Sequence, residues 1–470
     1  MTGKLIGIDV GTTSVKGAAF DARGHVLKTF AARYDTQRPQ PGFMEQNAGD
    51  WIAHVDAALA ELGPADAIGL CSQVNTHVFV DEKGEALLPA FTWQDTRCAA
   101  VAAELDARVA EADKLKWWGA PLPIDASHVL ARMAYVARHH PDVWARTRWV
   151  MAPKDYCLFK LTGAVIADPM TCFGIVGQDL KPIASLIGLV PGAAQRLPPI
   201  AGFTSPAGKT RSGTPMVVGA MDAWSGLLGA GVCEEGQGLY LSGTSEILGL
   251  VSENKVPTPG VIAFARCEGV TLHAGPTQSG GAAVEWIAQV LDVSAAEISA
   301  LAAKADLRHT PLFLPHLEGE RAPLWDAASR GSFIGLSSSA GAPEMARAVL
   351  EGVAYAARLA FEALEASGAI KASALHHSGG GAASDLWCRI RADVLGYRLK
   401  RTTMRDAGVL GAALMAGVGS SLFPSLRQAA RDFVHYDQTF TPDATQTARH
   451  ARRFAAYKLL YEQLKPLRDI

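Results

Sequence analysis

Cysteine is scarce in this chain of 470 residues. The seven cysteines are scattered and odd in number, and none has the Cys-x-x-Cys spacing that is typical of zinc sites. A disulfide framework is therefore not expected, and a reducing compartment fits best. An excess of charge of one sign is also lacking, since 44 Lys and Arg oppose 46 Asp and Glu. Without a broad field to attract nucleic acid or an anionic membrane, we expect a neutral or locally bound ligand.

Long apolar runs are missing as well. No stretch approaches the roughly 18 uninterrupted apolar residues that a membrane-spanning helix needs. The chain leads almost directly into a strand-like segment at residues 5–8, which leaves no room for the apolar part of a secretory signal. These absences predict a cytoplasmic protein that binds neither a membrane nor a nucleic acid.

The composition that is present belongs to a compact globular protein, with 49% hydrophobic and 19% charged residues. The chain exceeds the roughly 250–300 residues at which one hydrophobic core stops growing, so two or more domains are expected. Residues 5–20 have the pattern of strand, glycine-containing turn and strand, and residues 238–251 repeat it. Two similar α/β halves, 1–236 and 237–470, would explain the repeat. Chance similarity of two hairpins is the alternative, because Gly and Thr are common in turns.

The turn between the first two predicted strands is a candidate for phosphate binding, and it consists of Gly11, Thr12, Thr13 and Ser14. Such a turn exposes backbone N–H groups, and the hydroxyl groups add further donors. Lys16 could add a positive charge. The carboxylate of Asp9 is compatible with a nearby polyphosphate only if a cation such as Mg²⁺ lies between them. An ordinary hairpin with a solvated Asp9 is the alternative.

Asp222 is the second candidate, because it follows the strand-like residues 217–221 and precedes a helix-like run. Catalytic groups are commonly carried at such strand ends in α/β folds. An aspartate that only caps a helix is the alternative.

Several motifs occur in an order that resembles the FGGY family of carbohydrate kinases. They lie at residues 9–14, 42–46, 93–97, 153–155, 219–222, 242–245, 318–323 and 379–381, and a longer motif spans residues 331–351. The resemblance covers nearly the whole chain. It implies an α/β fold of two ribonuclease-H-like lobes, as in the actin-like ATPases, which flank an active-site cleft.

The same resemblance implies which residues bind Mg-ATP. Those implied for the phosphates are Gly11, Thr12, Thr13, Ser14, Lys16, Gly243 and Thr244. Those implied for the border of the nucleoside are Gly281, Gly380, Gly381 and Ser384. Asp9 would hold Mg²⁺, and Asp222 would be the general base that accepts the proton of a sugar hydroxyl.

The family selects its sugar partly at a segment that corresponds here to Gln73, Val74 and Asn75. This segment departs both from the Gln-Met-His of xylulose kinases and from the Gln-Arg-Glu of glycerol kinases. The charged pair of glycerol kinases is absent, and Asn75 offers a donor and an acceptor for neutral hydroxyl groups. A small neutral ketose or polyol is therefore favoured, with Trp93 packing against its carbon face.

The leading hypothesis is ATP-dependent phosphorylation of a terminal hydroxyl of a ketopentose such as xylulose. Ribulose, another ketose, or a polyol such as glycerol or erythritol are alternative acceptors. A non-catalytic nucleotide-binding sugar sensor is the alternative of another class. The sequence leaves open whether certain charged residues contact substrate or only stabilise the fold, namely Asp95, Arg97, Glu320 and Arg321. A homodimer is expected by analogy with the family alone.

Overall fold

The structure is a computed structural model that describes residues 3–467. Residues 1–2 and 468–470, the outer ends of the two predicted lobes, lie outside the described residues. The strands are Leu5–Val10 (β1), Ser14–Phe20 (β2), Val26–Arg33 (β3), Glu45–Gln46 (β4), Ala67–Ser72 (β5), Val78–Val80 (β6), Ala90–Phe91 (β7), Trp149–Met151 (β8), Pro206–Lys209 (β9), Pro215–Val217 (β10), Ala220–Met221 (β11), Gln237–Ser242 (β12), Glu246–Val251 (β13), Ile262–Ala263 (β14), Leu272–Pro276 (β15), Leu312–Leu314 (β16), Ser332–Ile334 (β17), Ala374–Ser378 (β18), Leu399–Thr402 (β19) and Tyr436–Phe440 (β20).

The α-helices are Ala48–Leu62 (α1), Ala99–Asp106 (α2), Glu111–Trp118 (α3), Val129–His139 (α4), Pro141–Arg146 (α5), Pro153–Thr162 (α6), Ala184–Ile187 (α7), Asp222–Gly229 (α8), Gly281–Val290 (α9), Ala295–Ala302 (α10), Ala342–Gly368 (α11), Asp385–Leu395 (α12), Ala407–Gly419 (α13), Leu426–Phe433 (α14) and Ala444–Leu464 (α15). Short 3-10 helices occupy Phe173–Ile175, Gly380–Ala383 and Lys465–Leu467. Within residues 3–467, none of these helices has the length and apolar composition that crossing a membrane requires.

The described chain forms two compact units. Unit 1 contains residues 3–233, Phe264–Gly269 and Asp406–Val434, and unit 2 contains Glu234–Ala263, Val270–Arg405 and residues 435–467. The chain first passes from unit 1 to unit 2 close to the expected boundary after residue 236. Two segments differ from the expectation, because Phe264–Gly269 and Asp406–Val434 were placed in the second lobe but belong to unit 1. The longer of them, Asp406–Val434, contains helix α13.

Helix α13 packs directly on the backbone of unit 1, which explains why Asp406–Val434 belongs to that unit. A Cβ atom on Gly7 of β1 would lie 1.9 Å from the carbonyl oxygen of Val409, and one on Gly69 of β5 would lie 1.9 Å from that of Ala412. Only glycine lets strands and helix approach so closely. The two partners of each contact are far apart in the sequence, so no local pattern predicts them.

Unit 1 is built on a sheet in the order β3-β2-β1-β5-β10-β9, with β11 also paired to β5. Strands β1, β2 and β3 are antiparallel, whereas β5 runs parallel to β1, and β11 runs parallel to β5. β1 and β5 are almost entirely buried, as expected of strands inside an α/β sheet. The carboxyl ends of β1, β5 and β11 therefore lie side by side.

Unit 2 is built on a sheet in the order β14-β15-β13-β12-β18-β19-β20. Its first hairpin, β12 and β13, is antiparallel, and β18 then runs parallel to β12. In unit 1 the hairpin β1 and β2 is likewise followed by the parallel partner β5. The predicted repeat is thus confirmed as two α/β sheets that each begin with the same hairpin, and chance similarity of the two turns is excluded.

Candidate active site

The turn between β1 and β2, residues 11–14, is called the first turn. The carbonyl oxygen of Gly11 accepts a hydrogen bond from the hydroxyl group of Tyr34, and that of Thr13 accepts one from the N–H of Tyr34 at 3.2 Å. The carbonyl oxygen of Thr12 accepts a hydrogen bond from Nε2 of Gln46 at 2.7 Å. The N–H groups of Thr12 and Thr13 donate to no other group within residues 3–467. The carbonyl oxygens of the first turn are therefore occupied, and the N–H of Gly11 donates within the turn to the carbonyl oxygen of Ser14 at 3.0 Å. The N–H groups of Thr12 and Thr13 remain as the free donors that an anion site requires.

The turn between β12 and β13, residues 243–245, is called the second turn, and the N–H of Gly243 donates within it to the carbonyl oxygen of Ser245 at 3.0 Å. Its carbonyl oxygens at Gly243 and Thr244 accept hydrogen bonds from the N–H groups of Gly281 (2.9 Å) and Ala282 (3.0 Å), at the start of α9. A Cβ atom on Gly281 would lie 2.7 Å from the oxygen of Gly243, so the helix could not approach with a larger residue there. Gly243 and Thr244 are exposed, which leaves their outer side accessible to a ligand.

Asp9 and Asp222 lie near each other because of the strand register of unit 1. Asp9 of β1 is paired with Cys71 of β5, and Cys71 is paired with Ala220 of β11. Asp222 follows two residues later as the first residue of α8, where its Oδ1 accepts a hydrogen bond from the N–H of Ala223 at 2.7 Å. Two carboxylates therefore lie at the carboxyl ends of the two strands that pair with β5 on either side, where α/β sheets bind their ligands.

Both carboxyl groups bind a proton more tightly than an ordinary aspartate. Burial raises the pKa of Asp9 to about 6, against lowering contributions from the Cys71 thiol and the Lys16 charge. Burial, together with the negative charge of Asp9, raises the pKa of Asp222 to about 7. Raised carboxyl pKa values of this kind are typical of groups that accept or donate protons in catalysis.

Asp9 also fits the role of a magnesium ligand. Its Oδ1 is buried and has no hydrogen-bond partner within the described residues. Residues 3–467 contain no group of three or more His, Cys, Asp or Glu side chains placed to hold a metal ion. Mg²⁺ does not need one, because it is commonly held by one or two carboxylates together with water and substrate phosphates. The free oxygen of Asp9 is therefore compatible with magnesium that arrives with a nucleotide.

Lys16 forms an ion pair that the sequence did not predict. Its Nζ lies 2.5 Å from Oδ1 of Asp406, the residue that precedes α13, and the two side chains are 44% and 41% exposed. Asp406 is thus an additional residue beside the first turn. Nothing in its local sequence marks it, because it reaches Lys16 only through the packing of α13 on the sheet.

Gln73 and Trp93, both predicted to contact sugar, are connected to the first turn. Nε2 of Gln73 donates to Oε1 of Gln46 at 2.8 Å, and Gln46 in turn holds the carbonyl oxygen of Thr12. Nε1 of Trp93 donates to Oγ1 of Thr12 at 3.1 Å. Oε1 of Gln73 is buried without a partner in the described chain. Gln73 and Trp93 are thus connected through hydrogen bonds to the first turn, whereas the half-buried Val74 lacks polar side-chain atoms.

Asn75 lies at the edge of a cavity of about 40 Å³ inside unit 1. Its φ is 53°, in the left-handed region, and its Nδ2 donates to Oγ of Ser127 at 3.2 Å. Its carbonyl oxygen accepts from the buried guanidinium of Arg132, which also binds Nδ1 of His77 at 2.9 Å. His77 and His128 line the same cavity. Asn75 is therefore held in a fixed orientation by partners that sequence reasoning did not identify.

Asp95 and Arg97 form a buried cluster with Glu45. Nη2 of Arg97 lies 2.6 Å from Asp95 and 2.8 Å from Glu45, and its guanidinium stacks on the rings of Phe43 and Phe91. The charges of Asp95 and Arg97 are thus engaged with each other and with neighbours inside unit 1, which is a stabilising arrangement.

In unit 2, a buried arginine connects the second turn with the loop at residues 379–383. Nη2 of Arg391 donates to Oγ of Ser242 and to Oε1 of Glu246, each at 2.6 Å. Nη1 donates to the carbonyl oxygen of Gly381 at 3.0 Å. Arg391 and Glu246 are completely buried. Sequence reasoning missed both residues, because a charged residue in a predicted helix or strand gives no local sign that it will be buried.

Of the four residues predicted to border the nucleoside, Gly380, Gly381 and Ser384 lie around this loop, whereas Gly281 lies against Gly243 of the second turn. A Cβ atom on Gly380 would have no neighbour within 4 Å, whereas one on Gly381 would lie 2.2 Å from Oγ of Ser242. Ser384 caps α12 by accepting from the N–H of Trp387 at 3.1 Å, and its hydroxyl also contacts that of Ser299. The loop therefore has an open side at Gly380 and a close contact with the end of β12 at Gly381.

Comparisons with known proteins agree with the motif order. Residues 4–174 and 238–420 match the models of the N-terminal and C-terminal domains of the FGGY family of carbohydrate kinases. The chain is 29% identical to the xylulose kinase of Escherichia coli strain K12, over 98% of this chain and 99% of that protein. It is 26% identical to the gluconokinase of Bacillus licheniformis, over 88% of this chain and 87% of that protein.

The fold was compared with solved structures. The crystal structure of a xylulose kinase from Brucella ovis matches with a TM-score of 0.90 at 26% identity, over 99% of this chain and 100% of that chain. The expected fold class, two ribonuclease-H-like lobes of the actin-like ATPase type, is therefore confirmed.

Proposed function

We propose that this chain, which belongs to the FGGY family of carbohydrate kinases, phosphorylates a terminal hydroxyl group of a ketopentose such as xylulose with ATP. Its activity as a carbohydrate kinase follows from the family, whereas the sugar and the roles of individual residues belong to the proposal. The observation that supports them most is the pair of carboxyl groups, Asp9 and Asp222, which lie at the ends of the two strands that flank β5 and have raised pKa values. A homodimer and a cytoplasmic location remain predictions from the sequence.

Asp222 acts as the general base in this proposal. A sugar hydroxyl is a weak nucleophile at neutral pH, so a carboxylate within about 2.6–3.2 Å accepts its proton while the oxygen attacks the γ-phosphorus of ATP. The bond from the γ-phosphorus to the bridging oxygen of ADP breaks, and ADP leaves with those electrons. The raised pKa of Asp222 suits this task, since a base with a pKa near the working pH is ionised and still accepts a proton readily.

The two turns stabilise the charge on the phosphates. The free N–H groups of Thr12 and Thr13 in unit 1, and the exposed Thr244 that follows Gly243 in unit 2, supply oriented donors for phosphate oxygens. Lys16 adds a positive charge and is kept near the first turn by Asp406. Mg²⁺, held by Asp9, would neutralise part of the phosphate charge when it is bound. Gly380, Gly381 and Ser384 are proposed to border the nucleoside.

The sugar is proposed to lie near Gln73, Asn75 and Trp93. The unpaired Oε1 of Gln73 offers a buried acceptor for a hydroxyl group. Asn75 is held in place by Ser127 and Arg132 and presents a polar side chain without a net charge. A neutral acceptor such as xylulose fits these groups better than an acid sugar does, although a gluconokinase is among the relatives.

The proposal is tested by measuring ADP release with Mg-ATP and a panel of acceptors: xylulose, ribulose, fructose, erythritol, glycerol and gluconate. We expect the largest kcat/KM for xylulose, and the phosphorylated carbon can then be identified by NMR. A larger kcat/KM for gluconate or glycerol would replace the proposed acceptor. ADP release that never exceeds the sugar-free rate would favour the non-catalytic sensor, for which Asp222 would have no role as a base.

Substitution of Thr244 by valine tests the second turn. Loss of the hydroxyl donor is expected to raise KM for ATP by about 5- to 20-fold, while the sugar KM changes little, because a hydrogen bond to a charged group contributes roughly 1–2 kcal/mol. The matched control is Thr258→Val in the same unit, whose hydroxyl donates to the carbonyl oxygen of Val256 at 2.9 Å. This change should leave both KM values as they are. Unchanged nucleotide kinetics for Thr244→Val would contradict phosphate binding at the second turn.

A further inference from the structure

Arg321 lies beside the second turn. Its Nη2 donates to Oγ of Ser245 at 3.2 Å and to the carbonyl oxygen of Thr277 at 2.7 Å. Ser245 is the last residue of the second turn, so these bonds hold the guanidinium next to the exposed residues Gly243 and Thr244.

The charge of Arg321 has no carboxylate partner. Glu320 precedes it, but the oxygens of Glu320 accept from the N–H of Gln278, the hydroxyl of Ser279 at 2.6 Å and the N–H of Arg321 itself at 2.8 Å. Within residues 3–467, no acidic side chain lies within the 4.0 Å of an ion pair with the guanidinium. Glu320 therefore fixes the backbone ahead of α9 and does not pair with Arg321.

The guanidinium also has unused donors although it is only partly accessible. Nε of Arg321 is buried and has no hydrogen-bond partner in the described chain. Burial lowers the pKa of Arg321, with only a partial opposing contribution from Glu320. A partly buried cation without a counter-charge is unfavourable, and an anion that supplies both charge and acceptors would compensate for it. Phosphate does so especially well, because its oxygens match the planar fork of a guanidinium.

We propose that Arg321 binds the polyphosphate of the nucleotide beside the second turn, as a contact residue of the ATP site. This proposal rests on the proposed function, because it takes the second turn to be a phosphate site. Thr277 and Ser245 orient the guanidinium from one side, and its remaining N–H groups face the phosphate oxygens. The sequence left open whether Arg321 and Glu320 contact substrate or stabilise the fold. In this proposal Arg321 binds the nucleotide, while Glu320 stabilises the fold.

The test compares Arg321→Gln with wild type by calorimetric binding of ATP, ADP and adenosine. We expect ATP and ADP to bind about 10- to 100-fold more weakly, because a charge-assisted contact is lost, while adenosine binds as before. Arg321→Lys should recover part of the affinity for ATP but not all of it, since an ammonium group lacks the planar fork. The matched control is Arg358→Gln, another partly exposed arginine of unit 2 that pairs with Glu362. It should leave all three affinities unchanged.

A merely structural role would give a different pattern. If Arg321→Gln weakened adenosine and ATP equally, or left ATP affinity unchanged, direct contact with phosphate would be wrong. The kinase reaction can be judged separately from this contact. If the wild type releases ADP in a sugar-dependent way and Arg321→Gln binds ATP as the wild type does, the phosphate contact of Arg321 is wrong while the proposed kinase function stands. Phosphate-dependent binding through Arg321 without any sugar-dependent turnover would instead reject the proposed function.

Discussion

Asp222→Asn is expected to lower kcat by about two to four orders of magnitude, because general-base catalysis typically contributes that much. The amide has nearly the same shape, so the start of α8 and the hydrogen bond from the N–H of Ala223 are retained. Binding of ATP and of the sugar should change little. Assays that quantify ADP and sugar phosphate in samples quenched at successive times measure kcat, and calorimetry measures the binding of ATP separately. Turnover close to that of the wild type would remove Asp222 from the mechanism.

The pH dependence of the wild type provides a second measurement on Asp222. The base accepts a proton only when it is ionised, and burial together with the charge of Asp9 places its pKa at about 7. We therefore expect kcat/KM to rise with pH below about 7 and to level off above it. The small residual activity of Asp222→Asn should lack this rise. A wild-type profile that is flat from pH 5 to 8, a range of about three units around neutrality, would contradict the assignment.

Asp222→Asn should also make the ligand-free protein more stable at neutral pH. The folded state holds the proton of Asp222 up to about pH 7, whereas the unfolded chain releases it near 3.8. The free energy of unfolding therefore decreases as the pH rises from about 3.8 to about 7. Above pH 7 the buried carboxyl group is ionised and continues to destabilise the folded state. The Tm of the asparagine variant should exceed that of the wild type at pH 8 and approach it near pH 4. This comparison reports on folding without depending on activity.

Arg391→Met is expected to reduce the free energy of unfolding by about 3–5 kcal/mol, the range found when one partner of a buried ion pair is removed. Glu246 would be left as an unpaired buried charge, since burial raises its pKa and Arg391 is the main group that opposes this. The hydroxyl of Ser242 and the carbonyl oxygen of Gly381 would also lose a donor. Urea unfolding followed by circular dichroism gives the change.

The double variant Glu246→Gln with Arg391→Met is the control for this ion pair. Removing both charges should reduce the free energy of unfolding less than Arg391→Met alone does, because no unpaired charge remains buried. If the free energy of unfolding of Arg391→Met lies within about 1 kcal/mol of that of the wild type, Glu246 becomes protonated or hydrated in this variant at little cost in stability. In the variants that fold, weaker ATP binding would indicate that Arg391 also orders the second turn and the loop at Gly381.

Much of the candidate site could be predicted because its residues are marked by local patterns. Asp9 and the first turn lie within one strand–turn–strand segment, and Asp222 lies where a strand gives way to a helix. The second turn was found as a repeat of the first, and the fold class followed from the repeat and the motif order. The contacts that occupy the carbonyl oxygens of each turn were not predictable, since Tyr34, Gln46 and α9 come from other parts of the chain.

The residues that sequence reasoning missed all act across long sequence separations. Asp406 reaches Lys16 from the other end of the chain, and Arg391 reaches Ser242 and Glu246 from a different element of unit 2. Arg321 was noticed as part of a motif, but its contact with Ser245 could not be inferred from that motif. A single sequence records which residues are charged and not which of them packing brings together.

By itself, the sequence determined the α/β class, the two halves, the family and the positions of the two carboxylates, because these depend on spacing along the chain. Tertiary structure alone decided that Asp406–Val434 belongs to unit 1, that Asp9 and Asp222 have raised pKa values, and that Arg321 has no ionic partner among the described residues. The physical reason is that burial, proton affinity and charge pairing depend on which groups approach in space. The close backbone contacts at Gly7 and Gly69 fix that approach in unit 1.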